Sequence, residues 1–163
     1  MVRSGDGWAQ GVAGTGEPGS DGDGGAAAAA KVDEPVGLAL ASDGTLFLSD
    51  FPAGRVRRVD PGGTISTLAR LRQPAEVALD VAERSLAVPS LADVLHRVDL
   101  ATGETETLTH PDEPHGAVYD EAGSQPSDVA LAPDGALIVS QIEPTAAIRR
   151  VDPDTGVITT LLR

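Results

Sequence analysis

Short apolar runs separated by polar turns recur along this chain, and their spacing is the main structural signal in the sequence. One copy begins at Pro35, and its four predicted strands span residues 36–40, 45–50, 55–59 and 65–69. Another begins at Pro126, and its four predicted strands span residues 127–131, 136–140, 147–151 and 157–162. Four short strands repeated with a period of about forty residues are typical of propeller blades.

A more diverged copy lies between these two and begins at Pro74. It keeps the four runs of the pattern at residues 77–79, 86–88, 96–99 and 105–108. The chain therefore contains three predicted blades, at residues 34–70, 73–109 and 125–163, with an inserted loop at 110–124. Long excursions at such joints are often functional loops.

The first 33 residues differ from the rest of the chain. Residues 8–14 match the fourth strand of a copy, so we interpret them as the orphan outer strand of an earlier, missing copy. Residues 15–33 are rich in glycine and alanine, and glycine density resists regular structure. We predict a surface loop there, ahead of the blades at 34–163.

Arginines cluster on the third predicted strand of each copy. We interpret them as packing residues rather than ligand-binding residues, because their aliphatic stems can cover apolar surface while the guanidinium reaches solvent or an aspartate on the next blade. They are Arg57, Arg58, Arg97, Arg149 and Arg150.

The first copy resembles an NHL repeat in its residues 34–40, 43–50, 55–60 and 65–68. The glycine-rich residues 14–25 resemble the joint between bacterial NHL copies. The resemblance implies an all-β fold, a β-propeller of four-stranded antiparallel blades that is usually six-bladed in that family. Members of that family serve as interaction domains, and relatives include lyases and lactonases, so the fold leaves the function open.

Three blades leave a six-bladed ring open, with one bare sheet face at each end of the arc. Two chains could pair head to tail as a homodimer that closes the ring. Alternatively, missing blades of a longer protein complete it, a possibility that the orphan strand at 8–14 favours.

The charge balance excludes some partners. The chain has 163 residues with a net charge of −13 and no cysteine. Such a charge disfavours nucleic acid and anionic membranes, and no apolar run is long enough for membrane insertion. Because no signal peptide is evident, we expect a cytoplasmic protein, or an extracellular one if the chain is part of a longer protein.

Polar residues at the start of each copy predict a ligand site at one mouth of the central channel. Converging carboxylates and amides there could hold a divalent cation, which would polarise a lactone carbonyl and activate water as in lactonase-type propellers. The alternative is an ordinary polar rim. The residues are Glu34, Gln73, Glu76, Gln125 and Asp128.

The inserted loop offers a second possible metal site, because imidazole and carboxylate groups are ligands for Zn²⁺ and similar ions. The alternative is a solvated acidic loop. The four residues are His110, Asp112, Glu113 and His115.

No nucleophile motif or phosphate-binding loop occurs, so the sequence predicts no catalytic residue. The main hypothesis is a non-catalytic propeller module that binds a protein, peptide or glycan on one rim. The alternative is a metal-dependent lactonase-like or lyase-like hydrolase on the same scaffold. No cofactor is predicted beyond that possible divalent cation.

Overall fold

The computed structural model describes residues 2–4, 7–9, 11–91, 95–108, 125–142 and 146–162. These residues form fourteen β-strands and one short 3-10 helix, Ala27–Ala29. The architecture is all-β, as the repeat pattern predicts. Among the described residues, no helix has both the length and the apolar character that crossing a bilayer requires.

Three four-stranded antiparallel sheets account for most of the chain, and in each of them sequence neighbours pair. Blade 1 contains β3 (Pro35–Leu40), β4 (Leu46–Asp50), β5 (Arg55–Val59) and β6 (Ile65–Arg70). Blade 2 contains β7 (Ala78–Leu79), β8 (Ser85–Pro89), β9 (Leu95–Asp99) and β10 (Thr105–Thr107). Blade 3 contains β11 (Gln125–Leu131), β12 (Leu137–Ile142), β13 (Ala147–Val151) and β14 (Ile158–Leu162). The predicted strands are confirmed to within one or two residues.

A separate two-stranded sheet precedes the blades. β1 (Val2–Ser4) pairs with β2 (Gly7–Ala9) in antiparallel register, and this sheet is not joined to any blade. The interpretation of residues 8–14 as the outer strand of a missing copy therefore remains a prediction.

The blades stack face to face, and apolar side chains fill each joint. We call the side of a blade that faces the preceding one its front and the opposite side its back. Phe47 and Val56 on the back of blade 1 share a buried cluster with Leu86, Val88 and Val98 on the front of blade 2. Alternate residues of a strand point to opposite faces, so each blade contributes to two joints.

The second joint follows the same rule. Ala87 and Leu95, on the back of blade 2, pack with Leu137, Val139 and Val151 on the front of blade 3. The apolar pattern that the sequence repeats is thus the packing between successive sheets.

Residues 11–33 cover the front of blade 1, which has no preceding blade in the described structure. Ala27 and Ala30 are 1% exposed and pack on Leu48, Val59 and Ile65. Main-chain hydrogen bonds support this packing, with the N–H of Gly24 donating to the carbonyl of Ile65 at 2.8 Å. The predicted surface loop is therefore a cover, because its small alanines fit closely against the sheet.

The cover does not reach the inner strand. Val36, Leu38 and Leu40 of β3 are 53%, 61% and 69% exposed. At the other end of the arc, Ile142 and Leu162 of blade 3 are also exposed. Both ends of the three-blade arc thus present apolar surface.

Candidate functional site

The first strands of the three blades lie side by side, with β7 against β3 on one side and β11 on the other. We call the end at which these strands begin the upper rim, and the end with the β3–β4, β7–β8 and β11–β12 hairpins the lower rim. The predicted channel residues Glu34, Gln73, Glu76, Gln125 and Asp128 all lie at or near the upper rim.

Glu34 and Gln73 occupy equivalent positions, and each precedes the proline that opens a copy. Both side chains are exposed, and both residues have a left-handed backbone, with φ of 46° and 44°. Such a conformation costs a non-glycine residue on the order of 1 kcal/mol or more and persists where the surroundings hold it. At Gln73 the carbonyl oxygen accepts a hydrogen bond from the N–H of Leu91 at 3.1 Å, which fixes the turn.

Glu76 links two blades. Its Oε1 accepts hydrogen bonds from the N–H of Leu38 in blade 1 at 3.1 Å and from the N–H of Val77 at 3.2 Å. Asp128 holds the equivalent position in blade 3, is exposed, and accepts a hydrogen bond at Oδ1 from the N–H of Val129 at 2.8 Å. The second oxygen of each carboxylate makes no hydrogen bond within the described residues.

Blade 1 carries Gly37 at the position of Glu76 and Asp128. A Cβ on Gly37 would lie 2.6 Å from the Cα of Glu76 and 2.8 Å from the carbonyl oxygen of Ala75. The close approach of β3 and β7 therefore requires glycine here. Two of the three described blades supply a carboxylate at this level of the rim.

Carboxylate and amide oxygens are ligands for hard cations such as Ca²⁺, which takes six to eight oxygens. The upper rim fits such a cation in the type of its donors. Within the described residues, however, no three His, Asp or Glu side chains gather closely enough to hold a metal ion. The loop candidates His110, Asp112, Glu113 and His115 lie outside the described residues, and the structure describes Gln125 only as part of β11.

A buried ionic cluster at the front of blade 1 has no counterpart in the sequence predictions. Arg57 and Asp50 are both fully buried, with 3.3 Å between Nη1 and Oδ2. The Nη2 of Arg57 also lies 2.8 Å from Oδ1 of Asp23 in the cover, and the N–H of Asp33 donates to Asp50 at 2.8 Å. Asp50, Arg57, Asp23 and Asp33 thus tie the cover to the sheet.

The pKa values of Asp50 and Asp23 in this cluster are shifted in opposite directions. Burial raises the pKa of Asp50 above its ordinary value, although hydrogen bonds and the charge of Arg57 oppose the shift. For Asp23, burial acts in the same direction, but hydrogen bonding and the charge of Arg57 outweigh it and lower the pKa. The cluster therefore carries an ionised Asp23 beside Arg57 at neutral pH.

The other arginines on the third strands also bond mainly within their own blades. Arg150 pairs with Asp134 at 2.5 Å, and the Nε of Arg149 donates to Gln141 at 2.7 Å. Gln141 takes the place that Asp50 has in blade 1. These contacts agree with a packing role. The predicted ion pair with an aspartate on the next blade is wrong for Arg57 and Arg150, because each pairs with an aspartate of its own blade, and the Arg57 side chain is fully buried.

A cleft of about 780 Å³ lies between blades 2 and 3 at the lower rim. Its walls come from both blades, and apolar side chains meet polar ones there. The sequence predicted no site at this joint, because the residues are far apart in the chain and ordinary in type. The apolar part is lined by Ala87, Leu108, Leu131 and Leu137. The polar part is lined by Asp80, Arg84, Arg97, Asp99, Glu104, Thr105, Glu106 and Asp154.

The similarity of this chain to known proteins is found at the level of structure and not of sequence. No protein-family model matches the chain, and no curated protein is similar to it in sequence. Solved structures do match. A virginiamycin B lyase from Staphylococcus aureus is 16% identical with a TM-score of 0.61, and the match covers 77% of this chain and 40% of the lyase.

Two further matches have the same character. A gluconolactonase from Xanthomonas campestris is 21% identical, has a TM-score of 0.60, and is matched over 77% of this chain and 46% of its own. The calcium-binding protein regucalcin from Agrobacterium tumefaciens is 18% identical, has a TM-score of 0.59, and is matched over 78% and 42%. The chain thus spans less than half the length of these structures. These likenesses support the predicted propeller fold, with the described blades as part of a ring.

Proposed function

We propose that the upper rim is part of a divalent-cation-dependent lactonase-like or lyase-like site on a propeller of the NHL type. The observation that carries this proposal is the equivalent placement of Glu76 and Asp128 in neighbouring blades, with Glu76 just before β7 and Asp128 within β11. One oxygen of each carboxylate is fixed by main-chain N–H groups, and the other is not engaged within the described residues.

Fixed carboxylates suit a ligand role because their orientation is set before the ligand arrives. Glu76 is held by main-chain groups of two blades, since it accepts hydrogen bonds from Leu38 in blade 1 and from its own neighbour Val77 in blade 2. The structural likeness to a lyase, a gluconolactonase and a calcium-binding protein supports the same choice of chemistry. The NHL assignment rests on residues 34–68 and the glycine-rich joint at 14–25.

Glu76 and Asp128 would hold the cation, and Glu34 and Gln73 would contact a polar substrate above it. A bound divalent cation acts as a Lewis acid on a carbonyl and favours ionisation of a bound water. The described blades supply two of the oxygen ligands, so further ligands must come from additional blades or a second copy of this chain. We include that completion of the ring in the proposal.

The test is cation binding measured by calorimetry and thermal unfolding with Ca²⁺, Mn²⁺ and Zn²⁺, together with hydrolysis of a small lactone. We expect one of these ions to raise the unfolding temperature. Glu76→Gln and Asp128→Asn should each reduce the affinity by roughly tenfold, the range seen when a support of a metal site is lost. Glu17→Gln in the exposed cover is the matched control and should leave binding unchanged.

A second candidate is a non-catalytic module that binds a protein, peptide or glycan on this rim. The observation in its favour is the exposure of Glu34, Gln73 and Asp128, which gives a polar surface open to a large ligand. If no ion changes the unfolding temperature and no lactone is hydrolysed by the folded chain, the cation site is wrong and this candidate replaces it.

A further inference from the structure

The joint between blades 2 and 3 is open where the joint between blades 1 and 2 is filled. In the first joint, Leu68 and Leu100 pack against the buried cluster, and Gly103 lies so close to the carbonyl oxygen of Leu68 that no Cβ would fit. Of their counterparts in the repeat, Leu108 is still buried in the cluster between blades 2 and 3, whereas Pro153, in the place of Leu100, is not part of that cluster and lines a cleft of about 780 Å³.

The inner part of this cleft is apolar. Ala87, Leu108 and Leu137 are 7%, 4% and 4% exposed and belong to the cluster between the two blades, with Leu131 packed against it. A small-molecule site is usually a cavity of a few hundred cubic ångströms whose walls are mostly apolar and carry a few polar groups.

The outer part of the cleft carries an excess of negative charge. It has five carboxylates and two guanidinium groups. Arg97 is already paired with Glu106 at 2.7 Å, and its Nη1 donates to the carbonyl oxygen of Pro153 at 3.2 Å. Among the described residues that line the cleft, only Arg84 therefore opposes the carboxylates of Asp80, Asp99, Glu104 and Asp154.

Two of these four carboxylates accept hydrogen bonds within hairpin turns, and the other two do not. Oδ1 of Asp99 accepts hydrogen bonds from the N–H groups of Ala101 and Thr102, which lower its pKa, and Asp80 bonds to Ser85. The side chains of Glu104 and Asp154 are exposed and make no hydrogen bond within the described residues. They remain available to a ligand at the mouth of the cleft.

We infer that this cleft binds an organic cation, a primary amine with a short aliphatic body. The aliphatic part lies against Ala87, Leu131 and Leu137, and the ammonium group lies between Glu104 and Asp154. The site is at the lower rim and shares no residue with the channel site, so either can exist without the other.

The probes that test the inference are n-hexylammonium and hexanoate, which have the same chain length and opposite charge. Each is titrated into the ¹⁵N-labelled protein and followed by the amide shifts of Thr105, Gly135 and Asp154. We expect saturable shifts with hexylammonium, weakened by added salt because the mouth of the cleft is open to solvent, and no saturable shifts with hexanoate.

Two variants localise the binding. Glu104→Gln/Asp154→Asn should weaken hexylammonium binding by roughly three- to tenfold, the effect of removing two exposed charges. Glu17→Gln/Asp21→Asn removes the same charge from the exposed cover and should change the affinity by less than about twofold. Thr105→Trp, which places a bulky side chain in the cleft, should abolish the shifts.

Three outcomes would overturn the inference. They are saturable binding of hexanoate with equal affinity, an equal loss in both double variants, and the absence of localised shifts with hexylammonium. The second outcome would show that only the overall charge of the protein attracts the cation.

Discussion

Glu83 occupies a turn position that glycine fills in the other two blades. Its φ is 53°, and the equivalent Gly44 and Gly135 have φ of 90° and 87°. A left-handed backbone costs a non-glycine residue about 1–2 kcal/mol. The side chain offers a reason for this residue, because its two oxygens accept hydrogen bonds from the N–H and the Oγ of Ser42 in blade 1, at 2.9 and 2.7 Å.

Removal of this contact should loosen the joint between blades 1 and 2. We expect Glu83→Ala to lower the free energy of unfolding by about 1–2 kcal/mol, since two charge-assisted hydrogen bonds are lost. Urea denaturation of Glu83→Ala, Ser42→Ala and the double variant measures the coupling, which we expect to be about 0.5–1 kcal/mol. Additive effects of the two substitutions would contradict a direct contact.

At the residue scale, the local sequence accounts for the hairpin turns of blades 1 and 3 but not for the contacts between blades. The turns at Asp43-Gly44 and Asp134-Gly135 follow from local chemistry, since aspartate accepts main-chain hydrogen bonds and glycine tolerates positive φ. The contact of Glu83 with Ser42 depends on how one blade sits against the next. Nothing in the local sequence around Glu83 contains that information.

The cover formed by residues 11–33 is held to blade 1 by an ionic cluster rather than by apolar packing alone. Arg57 lies at the centre of this ionic cluster. It contacts Asp50 within the blade and Asp23 in the cover. A buried charge that loses its partner is strongly unfavourable, whereas an apolar pair of similar size can replace the whole ion pair.

We predict that Arg57→Met lowers the free energy of unfolding by about 3–5 kcal/mol, because Asp50 stays buried without a counter-charge. Asp50→Leu/Arg57→Met should recover a large part of this loss. Trypsin cleavage after Lys31 gives a local measure of how firmly the cover is attached. Arg58→Met, at the exposed neighbouring position, is the control, and equal behaviour of the two single variants would contradict a role for the cluster.

At the level of elements, the strands were predictable because they repeat, and the cover was not. Each copy provides an independent view of the same apolar pattern, so errors in one copy are corrected by the others. Residues 11–33 occur once and have a composition typical of loops. Their fit depends on the small size of Ala27 and Ala30, which allows close packing against Leu48 and Ile65. The sequence of residues 11–33 alone does not show this contact.

The three-blade arc leaves apolar side chains exposed at both ends, among them Leu38 and Leu40 at one end and Leu162 at the other. Contiguous apolar surface of this kind promotes association in soluble proteins. We predict that the chain self-associates in sedimentation experiments, and that Leu38→Lys/Leu40→Lys shifts it toward the monomer. Val81→Lys, at an isolated exposed residue in a hairpin, is the control. A monomer at all concentrations would contradict this prediction.

At the scale of the whole molecule, the fold was predictable and the candidate sites were only partly so. The period of the copies gives the blades and their order. The same repeat predicted that the channel residues share one rim, whereas at the cleft between blades 2 and 3 Pro153 stands where Leu100 packs in the first joint. A repeat pattern predicts what copies share, and this cleft depends on where they differ.

During synthesis, residues 11–33 leave the ribosome before blade 1. The nascent chain can therefore shield the outer part of the front of blade 1 as soon as that blade has emerged, without waiting for any later residue. Blade 2 can then pack on the back of blade 1, which has already formed. Blade 3 can pack in the same way on the back of blade 2. Growth from the amino-terminal side would thus limit the time that each sheet spends exposed to chaperones and proteases.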